Sequence, residues 1–384
     1  MVKNNHGSHI SGILKQLATP WNIALERAKR VQNKGLSEGF ILDLACGSGI
    51  QLAAYSYQLN KPCIGIEINK KRAEVAKKTL KKILTKEIYE KSNIIHGDCL
   101  EFSKLNIEEG INFSLIHLDP ARPTNVQAHI ISEMEPSPIE AIKNCKELLS
   151  KNGSIILDLS PRLSQKQCEE LKIKLDDLLP DLEKTWEWSS QGRGRVDRLS
   201  VWIGKIATAN KVARYVRNHP RETNKSVIIE GEKLPWELNE EKPQKKEGKI
   251  NDIISIVDPA LISSGLEQSW IKSHGFEGVW IRKDGRRPLY LHSNKPDLKN
   301  ESKGLIFESG IIRDIIQEDI EENIENIIKI ANKLELNKLT LRLKIPPELH
   351  PKIQSKIDRN LVDIGSSGII IRLPNNTLAI CSKI

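Results

Sequence analysis

Aromatic residues are scarce: Phe, Tyr and Trp together make up 4% of the 384 residues. A nucleic-acid surface built mainly on stacked bases needs more rings than that. Cysteine is thin and scattered. The six, Cys46, Cys63, Cys99, Cys145, Cys168 and Cys381, never fall within four positions of one another, so no Cys-x-x-Cys knuckle exists. That argues against a structural metal and against a disulfide framework, and it fits a reducing cytoplasm. Long apolar runs are missing too. No stretch approaches the roughly 18–20 apolar residues that cross a bilayer, and Met1 to Ile13 lacks the apolar stretch of a signal peptide. A soluble protein with no membrane partner is expected. The 23 glycines and 18 prolines are an ordinary share and exclude collagenous and low-complexity classes.

What is present is enough for a core. Hydrophobic residues make up 39% and charged residues 28%, and the length suits two or three domains. The net charge of +9 favours a polyanionic partner.

The first half alternates short apolar runs with helical periods. A helix over Ile13 to Val31 is interrupted near Thr19-Pro20. Phe40 to Leu44, Cys63 to Ile68, Asn93 to His96, Phe113 to Leu118 and Ser154 to Leu159 read as buried strands, with helices between them. Ser137-Pro138-Ile139-Glu140 and Ser164-Gln165-Lys166-Gln167 are helix starts, and Asn152-Gly153 is a helix stop. Glu183 to Trp188 and Leu199 to Ile203 then pair across a Gly/Arg turn. The pattern predicts an α/β fold: a doubly wound, mostly parallel, seven-stranded Rossmann-like sheet with an antiparallel edge. Residues 1–205 form this domain. Residues 206–251 are polar and mixed in charge and read as a linker. Residues 252–384 read as a smaller α+β domain. Its strands are expected at Ile253 to Val257, Gly278 to Arg282, Lys338 to Leu343, Gly368 to Leu373 and Leu378 to Cys381, with a helix over Ile320 to Leu334.

Ligands bind such sheets at the carboxyl ends of the strands, where the strand order reverses. The first strand runs into Asp43-Leu-Ala-Cys-Gly47-Ser-Gly49, whose glycines let backbone approach a ligand and expose amides at a helix start. Glu67 follows the second strand and is placed to accept both hydrogen bonds of a ribose diol. Asp98 follows the third, suited to an adenine amino group. Asp119-Pro120-Ala121-Arg122 follows the fourth. A nicotinamide dehydrogenase shares the first two features, but Leu52 stands where its third glycine belongs.

This ordered set resembles the motif series of class I S-adenosylmethionine-dependent methyltransferases over about residues 10–205. The resemblance implies S-adenosyl-L-methionine as cofactor. It places Asp43, Ala45, Gly47 and Gly49 around the methionine part, Glu67 at the ribose and Asp98 with Cys99 at the adenine, with Ile68 and Thr19 also at the cofactor. Gln16-Leu-Ala-Thr19-Pro20, Asp119-Pro-Ala-Arg122, Asn144-Cys-Lys-Glu-Leu148 and Leu159-Ser-Pro-Arg-Leu163 are similar to a narrower group. These are methyltransferases with a C-terminal THUMP-like domain, related to RNA guanine-N2 methyltransferases. Val257-Asp-Pro-Ala-Leu261 and the strands after Leu334 are similar to that group's second half. Enzymes that methylate base amino groups usually carry Asp/Asn-Pro-Pro and an aromatic where this chain has Ala121 and Arg122. By resemblance, then, Asp119 and the Pro120 carbonyl take the hydrogens of an amine, and Arg122 stacks on a base or clamps a phosphate.

His117 lies inside a strand and reads as a buried structural histidine. Cys46 and Cys99 read as packing residues, since no neighbour stands ready to lower a thiol pKa. Arg162, at the end of the fifth strand, and Arg193, Arg195, Arg214, Arg217 and Arg221, in or just before the basic stretch from Lys205 to Lys225, are the expected RNA contacts. Arg282, Lys283, Arg286 and Arg287 form a second cluster. The lysine-rich helix from Lys70 reads as a solvated face. Two alternatives remain beside an RNA methyltransferase: a catalytically silent RNA-binding or assembly factor with the same fold, and a small-molecule methyltransferase.

Overall fold

The computed structural model describes residues 19–123, 128–192, 194–218, 226–239, 242–295, 305–317 and 319–384. They fall into two compact units. One runs to Gln191 and resumes over Val196–Leu238; the other comprises Gly192–Arg195 and Asn239–Ile384.

The first unit opens with α1 (Trp21–Lys34), which starts after Pro20. Then come β1 (Phe40–Asp43), α2 (Ile50–Leu59), β2 (Cys63–Glu67), α3 (Lys70–Ile83), α4 (Lys86–Glu90), β3 (Asn93–His96) and β4 (Phe113–Leu118). α5 (Pro138–Cys145), β5 (Leu149–Leu159), α6 (Gln165–Leu178), β6 (Lys184–Ser190), β7 (Arg198–Gly204), β8 (Ala213–Arg217) and β9 (Val227–Gly231) complete it. Local chemistry sets several boundaries. The Asn69 side chain accepts from the Arg72 amide to start α3, and Ser164 with Gln167 forms the expected capping box of α6. At α5 the proline opens the helix as predicted, but the Ser137 side chain makes no cap hydrogen bond. The expected helix stop at Asn152-Gly153 is corrected: α5 ends at Cys145, and Asn152, with φ 63°, lies within β5.

The sheet order is β3-β2-β1-β4-β5-β7-β6-β8-β9. β1 to β5 are parallel neighbours, and β7 is antiparallel to both β5 and β6. This is the doubly wound α/β sheet expected from the sequence, with nine strands rather than seven. The order reverses between β1 and β4, which opens a crevice at their carboxyl ends.

The two additional strands correct the reading of 206–251 as a linker. β8 pairs in parallel with β6, from Trp186 opposite Ala213 to Ser190 opposite Arg217, and β9 pairs antiparallel with β8. The cause is an internal ion cluster. Arg214 is 3% exposed and meets Glu187 at 3.0 Å and Glu230 at 2.9 Å. Arg30 from α1 pairs with the same Glu187 at 2.6 Å, and Trp202 lies beneath both guanidiniums. A polar strand thus becomes interior because each charge it carries has a partner.

The second unit holds β10 (Ile253–Val257), α7 (Pro259–Ser263), α8 (Glu267–His274), β11 (Gly278–Arg282), β12 (Leu289–His292) and β13 (Ile306–Ile316). α9 (Ile324–Lys333), β14 (Leu336–Arg342), α10 (His350–Asp358), β15 (Ser366–Arg372) and β16 (Leu378–Lys383) follow. The sheet order is β11-β12-β10-β13-β16-β15-β14, antiparallel except for the β14–β15 pair. One face packs Ile254, Ile281, Ile312 and Ile371 together. The other packs Leu339, Ile370 and Ile380 against Ile327 of α9 and Ile357 of α10. The α+β expectation for this half is met, and β12 and β13 are additions to it.

Candidate active site at the carboxyl ends of the strands

The loop from β1 to α2 is built on one carboxylate and two glycines. Asp43 is 1% exposed; its Oδ1 accepts from the Ala45 amide at 3.2 Å and so turns the chain sharply. Gly47 and Gly49 both have positive φ, 53° and 74°. Their surroundings differ. A Cβ on Gly49 would lie 3.1 Å from Ala76, so this glycine lets the loop pack on α3. A Cβ on Gly47 would meet nothing within 4 Å, so the backbone there faces open space.

The acidic residues stand where expected. Glu67 ends β2 and is 5% exposed; its Oε2 accepts from the Gly47 amide and its Oε1 from the Asn69 amide, both at 2.9 Å. The carboxylate therefore braces the glycine loop, and each oxygen keeps acceptor capacity for a further donor. Ile68, next in sequence, is 68% exposed, an apolar surface at the mouth of the crevice. Asp98 is half-buried, and its Oδ1 accepts from the Leu100 amide at 2.8 Å. Cys99 is buried beside it, and burial pushes its thiol pKa up to about 12. Burial likewise holds Cys46 well above the ordinary thiol range. Both behave as the packing residues the sequence suggests.

Behind the crevice lies a buried charge network that sequence reasoning reached only in part. His117 of β4 places Nδ1 2.9 Å from Asp43 Oδ2 and Nε2 3.2 Å from Asp158 Oδ2. Burial pulls the imidazole pKa down, but Asp43 and Asp158 outweigh it and raise it to about 9. The ring is thus a cation at neutral pH and donates to both carboxylates. Asp158 of β5 is fully buried and also accepts from Arg27, Arg198 and Ser200. Burial raises its pKa, yet Arg198, Arg27 and His117 hold it well below the ordinary carboxylate range. The sequence does carry signals for these residues. Asp158 is a lone charge inside the apolar run Ile155 to Leu159, and Arg27 falls on the buried helix face with Ala24, Ala28 and Val31.

Arg198 carries the network out to the loop after β4. It pairs with Asp158, approaches Asp119 Oδ2 at 3.5 Å and donates to Thr19 Oγ1 at 2.9 Å. Asp119 Oδ1 accepts from Arg122 at 3.1 Å, and a second Arg122 nitrogen donates to the Leu159 carbonyl at 2.9 Å. The Arg122 fork, which the resemblance assigns to stacking on a base or clamping a phosphate, is engaged here by Asp119 and the end of β5. The loop is pinned further on. Ala121 exchanges backbone hydrogen bonds with Glu135, and buried His129 contacts Ser160 Oγ and, at 2.9 Å, the Pro123 carbonyl. Pro120 is buried, while Asp119 keeps 31% exposure.

The expected RNA contacts scatter. Arg214 is corrected: it is an internal ion-pair residue and not available to a phosphate. Arg217 is half-buried at the end of β8, on the same sheet edge as Asp119. Arg162 is exposed just beyond β5 on that edge, and Arg195 is exposed in the turn after β6. Arg193 and Arg221 lie outside the described residues. No group of metal-ligating side chains occurs among the described residues, and none of their helices is long and apolar enough to cross a membrane.

No protein-family profile matches the chain. The chain is 26% identical over 154 residues to the release factor glutamine methyltransferase of Borreliella burgdorferi, covering 36% of this chain and 50% of that protein. It thus spans half the length of the curated relative it matches. A solved structure of a candidate methyltransferase from Porphyromonas gingivalis W83 aligns over 97% of this chain and 82% of its own, with a TM-score of 0.61 and 15% identity. The chain has the fold of a class I S-adenosylmethionine-dependent methyltransferase.

Proposed function

We propose that the chain is an S-adenosylmethionine-dependent methyltransferase that acts on RNA, with an exocyclic base amine as the methyl acceptor. The observation that carries the cofactor is the open space over Gly47, flanked by Glu67, exposed Ile68 and Asp98 at the ends of consecutive strands. These residues fit the group. The Ala45–Gly49 backbone would hold its amino-acid end, Glu67 its ribose hydroxyls, and Ile68 with Asp98 its purine. When bound, S-adenosylmethionine supplies an electrophilic methyl group.

The chain's own part is mainly alignment of the acceptor. Asp119 is exposed enough to meet a substrate and is steadied by Arg122 and Arg198. Its carboxylate and the neighbouring Pro120 carbonyl would accept the two hydrogens of an amine and hold its lone pair toward the crevice. RNA as substrate draws support from the net charge of +9 and from Arg162 and Arg217 on the same sheet edge as Asp119.

A second reading, methylation of a protein side-chain amide, draws on the curated relative, whose name specifies a glutamine of a release factor. One experiment separates the two. The chain is incubated with methyl-labelled S-adenosylmethionine and total RNA, DNA or protein from cells. Label is expected in RNA, and nucleoside analysis should place it on a base nitrogen. Label confined to protein selects the second reading, and no transfer to any pool removes both.

A further inference from the structure

The second unit holds an excess of positive charge that its own residues do not neutralise. Arg287 lies just before β12 and is half-buried, and its guanidinium has no hydrogen-bond or ion-pair partner among the described residues. Burial, then Arg342, Arg282 and Arg286, lower its pKa against an opposing effect of Glu308, and the Arg282 guanidinium sits on the Arg287 carbonyl at 3.1 Å. Arg282 turns its fork onto backbone carbonyls only, Arg287 O at 3.1 Å and Arg372 O at 3.1 Å. Arg342 stacks over Phe307 at 4.9 Å. One largely buried carboxylate, Glu308, is shared between Arg342 and Lys383, the latter at 2.7 Å. Exposed Asp284 is the other acid acting on the group, through Arg282. Five cations thus share two carboxylates, and one of the five is half-desolvated with nothing to bond.

Like charges gathered out of water are costly unless a counter-charge accompanies them. A stability-driven sequence would place an aliphatic or an acid at Arg287. We propose that Arg287, Arg286, Arg282 and Arg342 form a binding site for a phosphate group. A guanidinium presents paired donors that match phosphate oxygens, and the unsatisfied fork of Arg287 is the natural first contact. The two carbonyls hold the Arg282 fork, and Glu308 holds two nitrogens of Arg342, so the fork of Arg287 is the one left to a ligand. The phosphate can belong to a nucleic-acid backbone or to a free phosphate compound. The site stands on unit-two residues alone and does not depend on methyl transfer.

The test uses the full chain, with inorganic phosphate, pyrophosphate and a short single-stranded RNA as probes. Melting temperature in phosphate-free buffer is the first readout. Arg287→Gln should melt higher than the unaltered chain, because a repelling charge is gone, and should lose the rise that added pyrophosphate gives the unaltered chain. A purely structural Arg287 would melt lower when changed and keep that rise, which overturns the proposal. RNA affinity is the second readout. If the phosphate is a backbone phosphate, Arg287→Gln should weaken RNA binding about 10-fold or more and flatten the log–log salt slope by about 0.7. Lys352→Gln, an exposed cation on α10, should leave both readouts unchanged. Pyrophosphate binding abolished by the substitution, with RNA affinity unaltered, assigns the site to a free phosphate compound. Equal response of all probes to Arg287→Gln and Lys352→Gln, or no response to either, overturns it.

Discussion

A histidine buried between two carboxylates cannot behave as a free imidazole. His117 has its pKa raised to about 9, above the ordinary 6.5, by Asp43 and Asp158 against the opposing effect of burial. A raised folded-state pKa means that the contribution is fully present below about 6.5 and is lost as pH rises through about 9. Urea unfolding between pH 6 and 10 should therefore show the first unit weakening across that window. His117→Gln should flatten that dependence and cost about 3–5 kcal/mol at pH 7, because two buried carboxylates lose a cation. A variant that keeps the full alkaline loss would assign the titration to another group. The two glycines of the β1–α2 loop separate by the same local reasoning. Gly47→Ala should cost about 1–2 kcal/mol from its left-handed backbone alone, keep the fold, and weaken S-adenosylmethionine binding in calorimetry. Gly49→Ala carries the same backbone penalty and also presses on Ala76, so melting should show it to be the more destabilised of the pair. Asp43, Glu67, Asp98 and Asp119 were legible in the sequence because each follows a recognisable strand. The pairings of Asp158 and Arg198 were not, because the partners come from distant segments: Arg27 is 131 positions from Asp158, and Asp119 is 79 from Arg198.

At the scale of elements, legibility followed burial pattern. β1, β2 and β4 are mostly apolar and buried almost throughout, and they read directly from the sequence. β8 reads Ala-Arg-Tyr-Val-Arg, which looks like a polar connector until Glu187 and Glu230 are seen to meet Arg214. β13, with Glu308, Ser309 and Gly310 near its start, hides in the same way, since its polar positions face Ser255, Arg342 and Lys383. This changes what Arg214→Glu tests. The substitution places a third carboxylate beside Glu187 and Glu230, where a cation had served both. It should destabilise the first unit by at least about 3–5 kcal/mol, seen as a lower urea midpoint, and not act as a selective RNA-binding defect. An unchanged midpoint would mean that β8 is dispensable and that the stretch behaves as a solvated connector. Glu187 gives a matching acid-side expectation. Burial raises its pKa, but Arg30 and Arg214 prevail and lower it to about 2. Its contribution is present above the ordinary carboxylate value and fades only as pH falls toward 2.

For the molecule as a whole, the question is which unit recognises the substrate. The proposed cofactor groups, from Asp43 to Asp98, lie entirely within the first unit. So do the groups that steady Asp119, namely Arg122, Arg198 and Asp158. A chain of residues 19–238 contains all nine strands of the first sheet, β8 and β9 included, and leaves no ion pair of the Arg214 cluster broken. It should therefore fold and bind S-adenosylmethionine within about threefold of the full chain, which is under 1 kcal/mol. Nucleic-acid affinity should divide differently. Arg162 and Arg217 stay with the first unit, while Arg282, Arg286, Arg287 and Arg342 leave with the second. Each phosphate-binding cation removed should flatten the log–log salt dependence by about 0.7 for a single strand. Because such cations position rather than specify, many sequences should weaken alike. Gel shifts of one labelled RNA at several salt concentrations, run on both chains, read this directly. A shallower slope and weaker binding for residues 19–238 would give the second unit a share of substrate recognition. Identical slopes would confine recognition to the carboxyl edge of the nine-stranded sheet, where Arg162, Arg198 and Arg217 stand with Asp119, and would leave the arginine cluster of the second unit to a smaller phosphate ligand.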